Sequence, residues 1–461
     1  MRTLAALALT AALAGCAIGP DYARPPLELP GQYPAADAGD AAAGVAARWW
    51  TLYGDSTLDG LVAAALERNA DVEIAVARVA EAEANLREAN TSLLPDLNGS
   101  VGATRSRVSA ATAFPNPPPL VRNDVHLTLG TSFEVDFWGR LRRGREAARA
   151  LAAGSRYGRD VVQISIAGLV AQSYFTVRAL DAQIRLAHST FASRGDSLEV
   201  ARSRSRAGLA SDLDVNLAQI ALADASLQAK DLARQRDLAE HQLATLTGQL
   251  ALRVPPVEAP LPALPAMPGS GLPSTLLERR PDVREAEQQL VAASAQIGVA
   301  KAAYFPTITL AASDGGHSSA LASTLNAPAT IWSVGINALV PLLDWGRTAA
   351  RVDSASARRD QAVATYRKAA ETAFREVADA LTEVGQYRTV QQELEDRARI
   401  ARNTLDLVNV RYRSGYSAYL EVLDAQRTAN DAELAIARNR LALLSASVNL
   451  MKALGGGWPA I

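Results

Sequence analysis

Cysteine is almost absent from this sequence, because the one thiol in 461 residues is Cys16. A single cysteine can form neither an intramolecular disulfide nor a metal site built from several thiolates. An excess of charge of one sign is missing too, since 47 Lys and Arg stand against 48 Asp and Glu. A balanced chain carries no electrostatic footprint for nucleic acid, so we expect no nucleic-acid partner.

Aromatic residues are scarce, and long apolar runs are missing. Aromatic residues make up 5% of the chain while hydrophobic residues make up 49%, so much of the apolar share is alanine. After residue 15, no uninterrupted apolar run reaches the roughly 18 residues that a transmembrane helix needs. The sequence therefore predicts a mature chain without a membrane-spanning helix, in which small side chains let helices approach closely.

The first sixteen residues have the pattern of an export signal. Arg2 precedes an apolar run over residues 4–13, which is too short to span a bilayer as a helix. Small residues stand directly before Cys16, and the whole stretch resembles a bacterial lipoprotein signal. The resemblance implies removal of residues 1–15, covalent lipid on Cys16 and, because Ala17 is not Asp, sorting to the outer membrane. We expect no cofactor beyond this lipid; the alternative is an ordinary signal peptide with a chance cysteine.

The chain is internally duplicated. The segment LERNADVEIAVARV beginning at Leu66 aligns without a gap with LERRPDVREAEQQL beginning at Leu277, an offset of 211. Two later pairs match at an offset of 207: DFWGR with LDWGR, and RAGLASDLDVNLAQ with RSGYSAYLEVLDAQ. We divide the chain into a signal peptide (1–15), a lipidated tail (16–56), a first repeat (57–250), a proline-rich connector (251–272), a second repeat (273–456) and a C-terminal tail (457–461).

Each repeat has the pattern helix, strand, strand, long helix, turn, long helix. The long helices carry apolar or small residues at the 3–4 spacing of left-handed coiled coils, with polar breaks at Arg236 and Asn439. A helix over about 143–205 would be roughly 90 Å long, about three times the hydrocarbon thickness of a bilayer. Because its outer faces are charged, such a helix must stand in water.

Four segments alternate between apolar and polar residues and are predicted as strands, near 97–107, 126–137, 307–314 and 331–340. Alternation with a period of two residues and one apolar face is typical of membrane β-barrel strands of about 9–11 residues. The alternative is a soluble sheet with one buried face. The stretches SRVSAATAFPNPPPLVRN and DGGHSSALASTLNAPA are predicted as outward loops. Lipid tolerates no unpaired sheet edge, so spanning strands require several copies that pool eight strands in a dimer or twelve in a trimer.

Six motifs then show a family resemblance: CAIGPDYARP, LERRPDV, YFPTI, LDWGR, RYRSGYSAYLEVLDAQR and LMKALGGGW. The sequence is similar to the TolC-like outer-membrane efflux proteins, and most to their lipoprotein branch of the NodT or OprM type. This implies an α+β membrane protein, a homotrimer with a twelve-stranded outer-membrane β-barrel continued by a long α-helical coiled-coil barrel in the periplasm. It implies the exit duct of a tripartite efflux pump, docked to a periplasmic adaptor protein and an inner-membrane transporter of the RND class.

The resemblance assigns the two turns after the longest helices to adaptor contact. Glycine in each turn permits the left-handed backbone of a helix C-cap. The alternative is that both are plain turns. The tip residues expected to meet the adaptor are Arg206, Gly208, Arg413 and Gly415.

The helix after the second turn carries the predicted gate. Leu420, Asp424 and Arg427 are spaced i, i+4, i+7 and share one helix face. By resemblance Leu420 is an apolar constriction and the two charged residues form the gate, while Tyr412 and Arg413 latch this tip to neighbouring helices. The alternative is a solvated ion pair. The first repeat has LAQIA at this position, so the charged gate belongs to the second repeat only.

The WGR motifs at Trp138 and Trp345 are predicted to end strands two and four, as structural elements rather than ligand sites. No histidine stands beside an acidic or cysteine cluster at metal-ligand spacing, and no serine has a nucleophile-elbow pattern. An enzyme is therefore disfavoured, and we interpret His126 and His317 as polar lumen or loop residues. Two rivals stay open: the channel of a type I protein or peptide secretion system, and a coiled-coil lipoprotein that only binds partners.

Overall fold

The computed structural model describes residues 17–28, 30–33, 45–111, 119–267 and 277–456. The predicted signal peptide, Cys16 and the C-terminal tail lie outside these residues. In chain order the elements are α1 (Ser56–Arg68), α2 (Ala70–Thr91), β1 (Asp96–Arg107), β2 (Val121–Val135), α3 (Arg140–Arg206), α4 (Asp212–Leu246), α5 (Pro281–Ala302), β3 (Thr307–Ser318), β4 (Thr330–Leu339), α6 (Arg347–Arg413) and α7 (Tyr419–Ala453). Among the described helices, none combines the length and apolar character needed to cross a bilayer.

The element bounds repeat at the two offsets found in the sequence. Adding 211 to the bounds of α2 and β1 gives those of α5 and β3, and adding 207 to the bounds of α3 and α4 gives those of α6 and α7. The strand pairing repeats too. Asp96 of β1 pairs with Ser132 of β2, and the same additions lead to Thr307 and Leu339, which pair in β3 and β4. Each repeat therefore builds the same hairpin and the same pair of long helices.

The four strands form one antiparallel sheet in the order β1-β2-β3-β4. Because successive side chains point to opposite faces, paired residues share a face. One face carries the apolar pairs, such as Val101 with Leu127 and Leu310 with Ile336. The opposite face carries polar pairs, such as Ser100 with Thr128 and Ser313 with Ser333, whose hydroxyls hydrogen-bond at 2.7 and 2.8 Å.

The predicted strand limits were wrong at the hairpin ends. β2 begins at Val121 instead of about residue 126. Its other end, away from the hairpin turn, is shorter than predicted and lies at Val135 instead of 137. β3 continues to Ser318 instead of 314, so His317 lies in a strand. Both predicted loops are correspondingly shorter. The cause is that ladder hydrogen bonds continue where the apolar alternation has stopped, and periodicity cannot detect a polar strand end.

The chain divides into two compact units. The first contains the sheet and consists of Met1–Pro26, Arg78–Ser155 and Glu285–Tyr366. The second is helical and consists of Leu27–Ala77, Arg156–Arg284 and Arg367–Ile461. Its main core joins α1 and the preceding 3₁₀ turn to α3 and α7, with members Trp49, Tyr53, Leu58, Val62, Val170, Tyr174, Phe175, Leu444, Val448 and Met451.

The polar breaks in the helix seams are satisfied by partners in the helical unit. Asn439 of α7 donates to the Tyr387 carbonyl and to Gln391 Oε1, both at 2.9 Å. Arg236 of α4 donates to Asp181 Oδ1 of α3 at 2.7 Å and forms an ion pair with Glu240. Because a buried polar group is costly without its partners, these two residues favour one register between neighbouring helices.

A buried ion pair ties α1 to α3 and the connector. Asp55 is the N-cap of α1 and accepts from Tyr174 at 2.7 Å and from Arg178 at 3.1 Å. The Arg178 side chain is 6% exposed and also donates to the carbonyls of Ala259 and Pro260.

We expect Arg178→Ala to lower the stability of the helical unit by about 3 kcal/mol, because the change removes a buried guanidinium and leaves the partly buried Asp55 carboxylate without its charged partner. Thermal unfolding followed by circular dichroism measures the effect. Arg185→Ala is the matched control, since Arg185 lies on the same helix and donates to the connector at Val257 from an exposed position. Equal melting temperatures for the two variants would contradict the prediction.

Candidate functional site

The two helical turns have the same backbone geometry. Gly208 has φ +73° and Gly415 has φ +85°, both in the left-handed region that glycine adopts without steric cost. After the first turn, the Leu209 N–H donates to the Arg204 carbonyl at 2.8 Å; after the second, the Tyr416 N–H donates to the Arg411 carbonyl at 2.8 Å. These 6→1 bonds are the Schellman C-cap, so both α3 and α6 end where the sequence predicted.

The helices that follow the turns differ in their caps. Ser211 opens α4 with reciprocal bonds, its hydroxyl accepting from the Asp214 N–H while the Asp214 carboxylate accepts from the Ser211 N–H. At the equivalent position before α7 stands Ala418, which has no side-chain acceptor, and only the Glu421 carboxylate accepts from its N–H. A Ser-to-Ala change at an N-cap costs about 1 kcal/mol. The first turn of α7, which carries Leu420 of the predicted gate, is therefore held less firmly than that of α4.

Arg204 links the two turns, and the sequence reasoning missed it. Its guanidinium donates to the carbonyls of Tyr412 at 2.9 Å and Arg413 at 3.4 Å, and lies 4.9 Å above the Tyr412 ring. The combination joins the end of α3 to the end of α6 through hydrogen bonds and a cation–π contact. Its only sequence signal is that adding 207 to its position gives another arginine, Arg411.

The two predicted latch residues have different surroundings. Tyr412 is buried, and its ring lies 5.5 Å from that of Tyr419 at the start of α7. Burial raises the pKa of both phenols. Arg413 is exposed and takes part through its carbonyl, which accepts from Arg204. Of the predicted tip residues, Arg206 forms an exposed ion pair with Glu199 at 3.1 Å.

The predicted gate residues lie together on an exposed face of α7. Asp424 and Arg427 form an ion pair at 2.8 Å, with side chains 65% and 72% exposed, and Leu420 is also exposed. Within one chain this is the solvated i,i+3 pair that was the alternative interpretation, and such a pair adds little stability. A groove of about 840 Å³ between α6 and α7 adjoins it, lined by charged, polar and apolar side chains, namely Glu393, Asp396, Arg397, Glu421, Asp424, Thr404, Thr428, Ile400, Ala401, Val408 and Ala425.

The chain just after the predicted lipidation site is held in the sheet unit. The Ile18 N–H donates to the Trp138 carbonyl at 3.1 Å. Arg24 donates twice to the Glu287 carboxylate, at 2.7 and 3.0 Å, and Tyr22 donates to the same carboxylate at 2.9 Å. Glycine is needed where this segment passes the residue before α3, because a Cβ on Gly139 would lie 2.8 Å from Ala17.

The two strand histidines lie next to each other on the polar face of the sheet. His126 of β2 pairs with His317 of β3, and both rings contact the Asp124 carboxylate. The His126 ring covers Gly102 of β1, where no side chain obstructs it. Over the described ranges there is no group of three or more His, Cys, Asp and Glu residues arranged to hold a metal ion. The arrangement is a polar cluster on the sheet.

The two WGR tryptophans have different environments. Trp138 stacks on Phe305 with a centroid distance of 4.7 Å, and its indole N–H donates to the Pro306 carbonyl at 2.8 Å. Trp345 is 89% exposed, and its φ of +54° is the one left-handed value for a non-glycine residue in the described ranges.

Comparison with known proteins gives one family. The model of a family described as outer membrane efflux protein matches residues 61–249 and 272–456. The pyoverdine export outer membrane protein OpmQ of Pseudomonas aeruginosa is 36% identical over 467 residues, covering 99% of this chain and 97% of that protein. The toluene efflux pump outer membrane protein TtgF of Pseudomonas putida is 35% identical over 472 residues, with the same coverage.

Solved structures of outer-membrane channels have the same fold as this chain. The outer-membrane channel OprN has a TM-score of 0.90 at 29% identity, covering 96% of this chain and all of that chain. The CmeC outer membrane channel of Campylobacter jejuni has a TM-score of 0.91 at 22% identity, covering 96% of this chain and 95% of that chain, which shows the fold.

Proposed function

The chain belongs to the outer membrane efflux protein family, and we propose that three copies of it form the exit duct of a tripartite efflux pump. The match covers both repeats and confirms the predicted family. In this proposal the strands of three chains form a twelve-stranded barrel in the outer membrane, and the long helices form a tunnel in the periplasm.

The observation that carries the proposal is the two-faced sheet with two open edges. One face is apolar and suits lipid, and the other is polar and suits a water-filled lumen. β1 and β4 are the ends of the strand order, so neither pairs on its outer side within the described chain. Because an open edge is not tolerated in lipid, the sheet needs the strands of other copies.

The proposed cargo is a small organic molecule. Among the similar proteins, one is named for export of pyoverdine and another for efflux of toluene. The groove beside the predicted gate is consistent with such a cargo, since charged and apolar side chains line it together. A channel of a protein secretion system remains the alternative, and the names of the similar proteins favour efflux.

The duct needs partners to work across two membranes. We propose that the turns at Gly208 and Gly415 contact a periplasmic adaptor, which in turn couples the duct to an inner-membrane transporter of the RND class. The two turns carry matching caps, and Arg204 joins them. A repeated, rigid surface of this kind suits a partner that must contact each repeat of each chain in the same way.

The proposed channel is tested with protein purified from outer membranes. We expect a trimer by native mass spectrometry and discrete conductance steps in a planar bilayer. A monomer without conductance would instead favour the coiled-coil lipoprotein.

We expect Gly208→Val and Gly415→Val to weaken coupling to the adaptor while the trimer persists. A β-branched residue in the left-handed region costs roughly 1–2 kcal/mol and distorts the turn. Drug susceptibility of a strain that depends on this duct measures the effect. Gly385→Val is the control, because Gly385 lies within α6, has no positive φ and, like both turn glycines, has open space where a Cβ would stand. Unchanged resistance in both turn variants would contradict adaptor contact.

A further inference from the structure

The internal duplication predicts how one copy of this chain pairs with the next. Within the chain, the first hairpin (β1 and β2) meets the second (β3 and β4) through the β2–β3 pairing. The two hairpins are equivalent. Each residue pair of β1 and β2 becomes a residue pair of β3 and β4 when 211 is added to the residue number in β1 and 207 to the residue number in β2. In a closed ring of such hairpins, the contact between β4 and the next β1 should therefore repeat the contact between β2 and β3.

The register of that contact can be read from the chain itself. His126 of β2 pairs with His317 of β3. Adding 207 to the first position gives Ser333 of β4, and subtracting 211 from the second gives Ser106 of β1. We propose that β4 pairs with β1 of a second copy in the register that places Ser333 opposite Ser106; this inference rests on the proposed oligomeric channel.

The two faces of the sheet agree with this register. It places Ile336 opposite Ala103 and Ala338 opposite Val101, and all four belong to the apolar face of the chain. It places Asn337 opposite Gly102 on the polar face. A slip of one residue would bring apolar side chains of one copy beside polar side chains of the next, so the faces exclude it.

The same equivalence gives Trp345 a partner. Trp138 follows β2 and stacks on Phe305, next to Pro306, before β3. Adding 207 to the position of Trp138 gives Trp345, which follows β4. Subtracting 211 from the positions of Phe305 and Pro306 gives Leu94 and Pro95, which precede β1.

Neither side of this second contact is covered in its own chain. Trp345 is 89% exposed and Leu94 is 63% exposed. The backbone of Trp345 is also in the left-handed region, a conformation that persists where surroundings hold it. We infer that the Trp345 indole packs on Leu94 and Pro95 of the neighbouring copy.

Cysteine pairs on the polar face test the register. In the full-length channel, Ser106→Cys with Ser333→Cys should cross-link chains into covalent dimers and trimers on a non-reducing gel after oxidation. The cross-link cannot form within one chain, because the edges of a four-stranded sheet are about 14 Å apart and a disulfide needs Cα atoms within about 7 Å. His126→Cys with His317→Cys is the matched control, which should cross-link within the chain and keep the monomer mass.

The outcomes separate the register from the channel itself. Thr104→Cys with Ser333→Cys shifts the register by two residues and keeps the polar face. Stronger cross-linking of that pair, or none from either pair in a preparation that native mass spectrometry shows to be trimeric, would overturn the register while the proposed function stands. A wild-type chain that is monomeric would overturn both.

Trp345→Gly tests the contact with Leu94 and Pro95. Glycine relieves the left-handed backbone and removes the indole. If the indole packs on a neighbour, the variant trimer should dissociate in SDS at a lower temperature than the wild type. Leu129→Ala is the control, since Leu129 is an exposed apolar side chain on β2, both of whose neighbouring strands belong to its own chain, and this variant should leave the dissociation temperature unchanged. A Trp345→Gly trimer as heat-resistant as the wild type would overturn this contact.

Discussion

A channel carrying both Asp424→Ala and Arg427→Ala should conduct several-fold more current than the wild type. In the proposed trimer three copies of α7 surround the axis, so three Asp424–Arg427 pairs and three Leu420 side chains narrow the tunnel. The change removes six charged side chains and leaves small methyl groups. Because the pair is exposed within the chain, its removal should cost little stability. Single-channel conductance in a planar bilayer measures the effect.

The helical unit offers a matched control for this experiment. Asp231 and Arg234 of α4 form an i,i+3 ion pair at 2.7 Å with a similar exposure. Asp231→Ala with Arg234→Ala removes the same charges from a different helix, and its conductance should equal that of the wild type. An equal rise in both double variants would show that the conductance responds to lost charge anywhere in the wall, and the gate would then have to be placed elsewhere.

The caps add a reason to expect a gate at the start of α7. Ser211 and Asp214 fix the start of α4 with two reciprocal bonds, whereas Ala418 can supply no side-chain acceptor to α7. Arg204 holds the ends of α3 and α6 together just before this point. The ends of α3 and α6 are thus held together, whereas the start of α7 is weakly capped. This arrangement would let α7 move while the two turns keep their shape.

The long helices and the duplication were predictable from the sequence because both depend on short-range, repeated signals. A 3–4 spacing of small and apolar residues specifies a helix wherever it continues, and two offsets relate the copies. The strand interiors were predictable for the same reason. The strand ends were not, because His317 and its neighbours are polar and a hairpin continues by backbone hydrogen bonds alone.

Contacts between distant segments could not be predicted from these patterns. The bond from Arg204 to Tyr412 joins residues 208 positions apart, and the ion pair of Asp55 with Arg178 joins residues 123 apart. Arginine in an alanine-rich helix is typical of a solvated face, so nothing in the local sequence marks Arg204 and Arg178 as partners of distant segments. The gate residues were found only through the family resemblance, since their spacing alone also fits an ordinary ion pair.

Cys16→Ser should abolish incorporation of labelled palmitate into the protein. The prediction is all-or-none, because this is the one thiol of the chain and a serine hydroxyl cannot take its place as the acceptor of diacylglycerol. Each buried methylene adds about 0.8 kcal/mol to membrane affinity, so several acyl chains form a firm anchor. Metabolic labelling followed by a denaturing gel measures the incorporation.

The same variant separates the anchor from the channel. If the strands span the outer membrane, the unlabelled Cys16→Ser protein should still resist extraction by alkaline carbonate, whereas a protein held by lipid alone would be released. The segment after Cys16 should keep its place in the fold, because Tyr22 and Arg24 donate to Glu287 through side chains that the substitution leaves intact. Ala17→Asp is the control that should keep the label and alter only sorting between the two membranes. Label persisting in Cys16→Ser would contradict the lipoprotein signal, and release of that variant from the membrane would contradict the spanning strands.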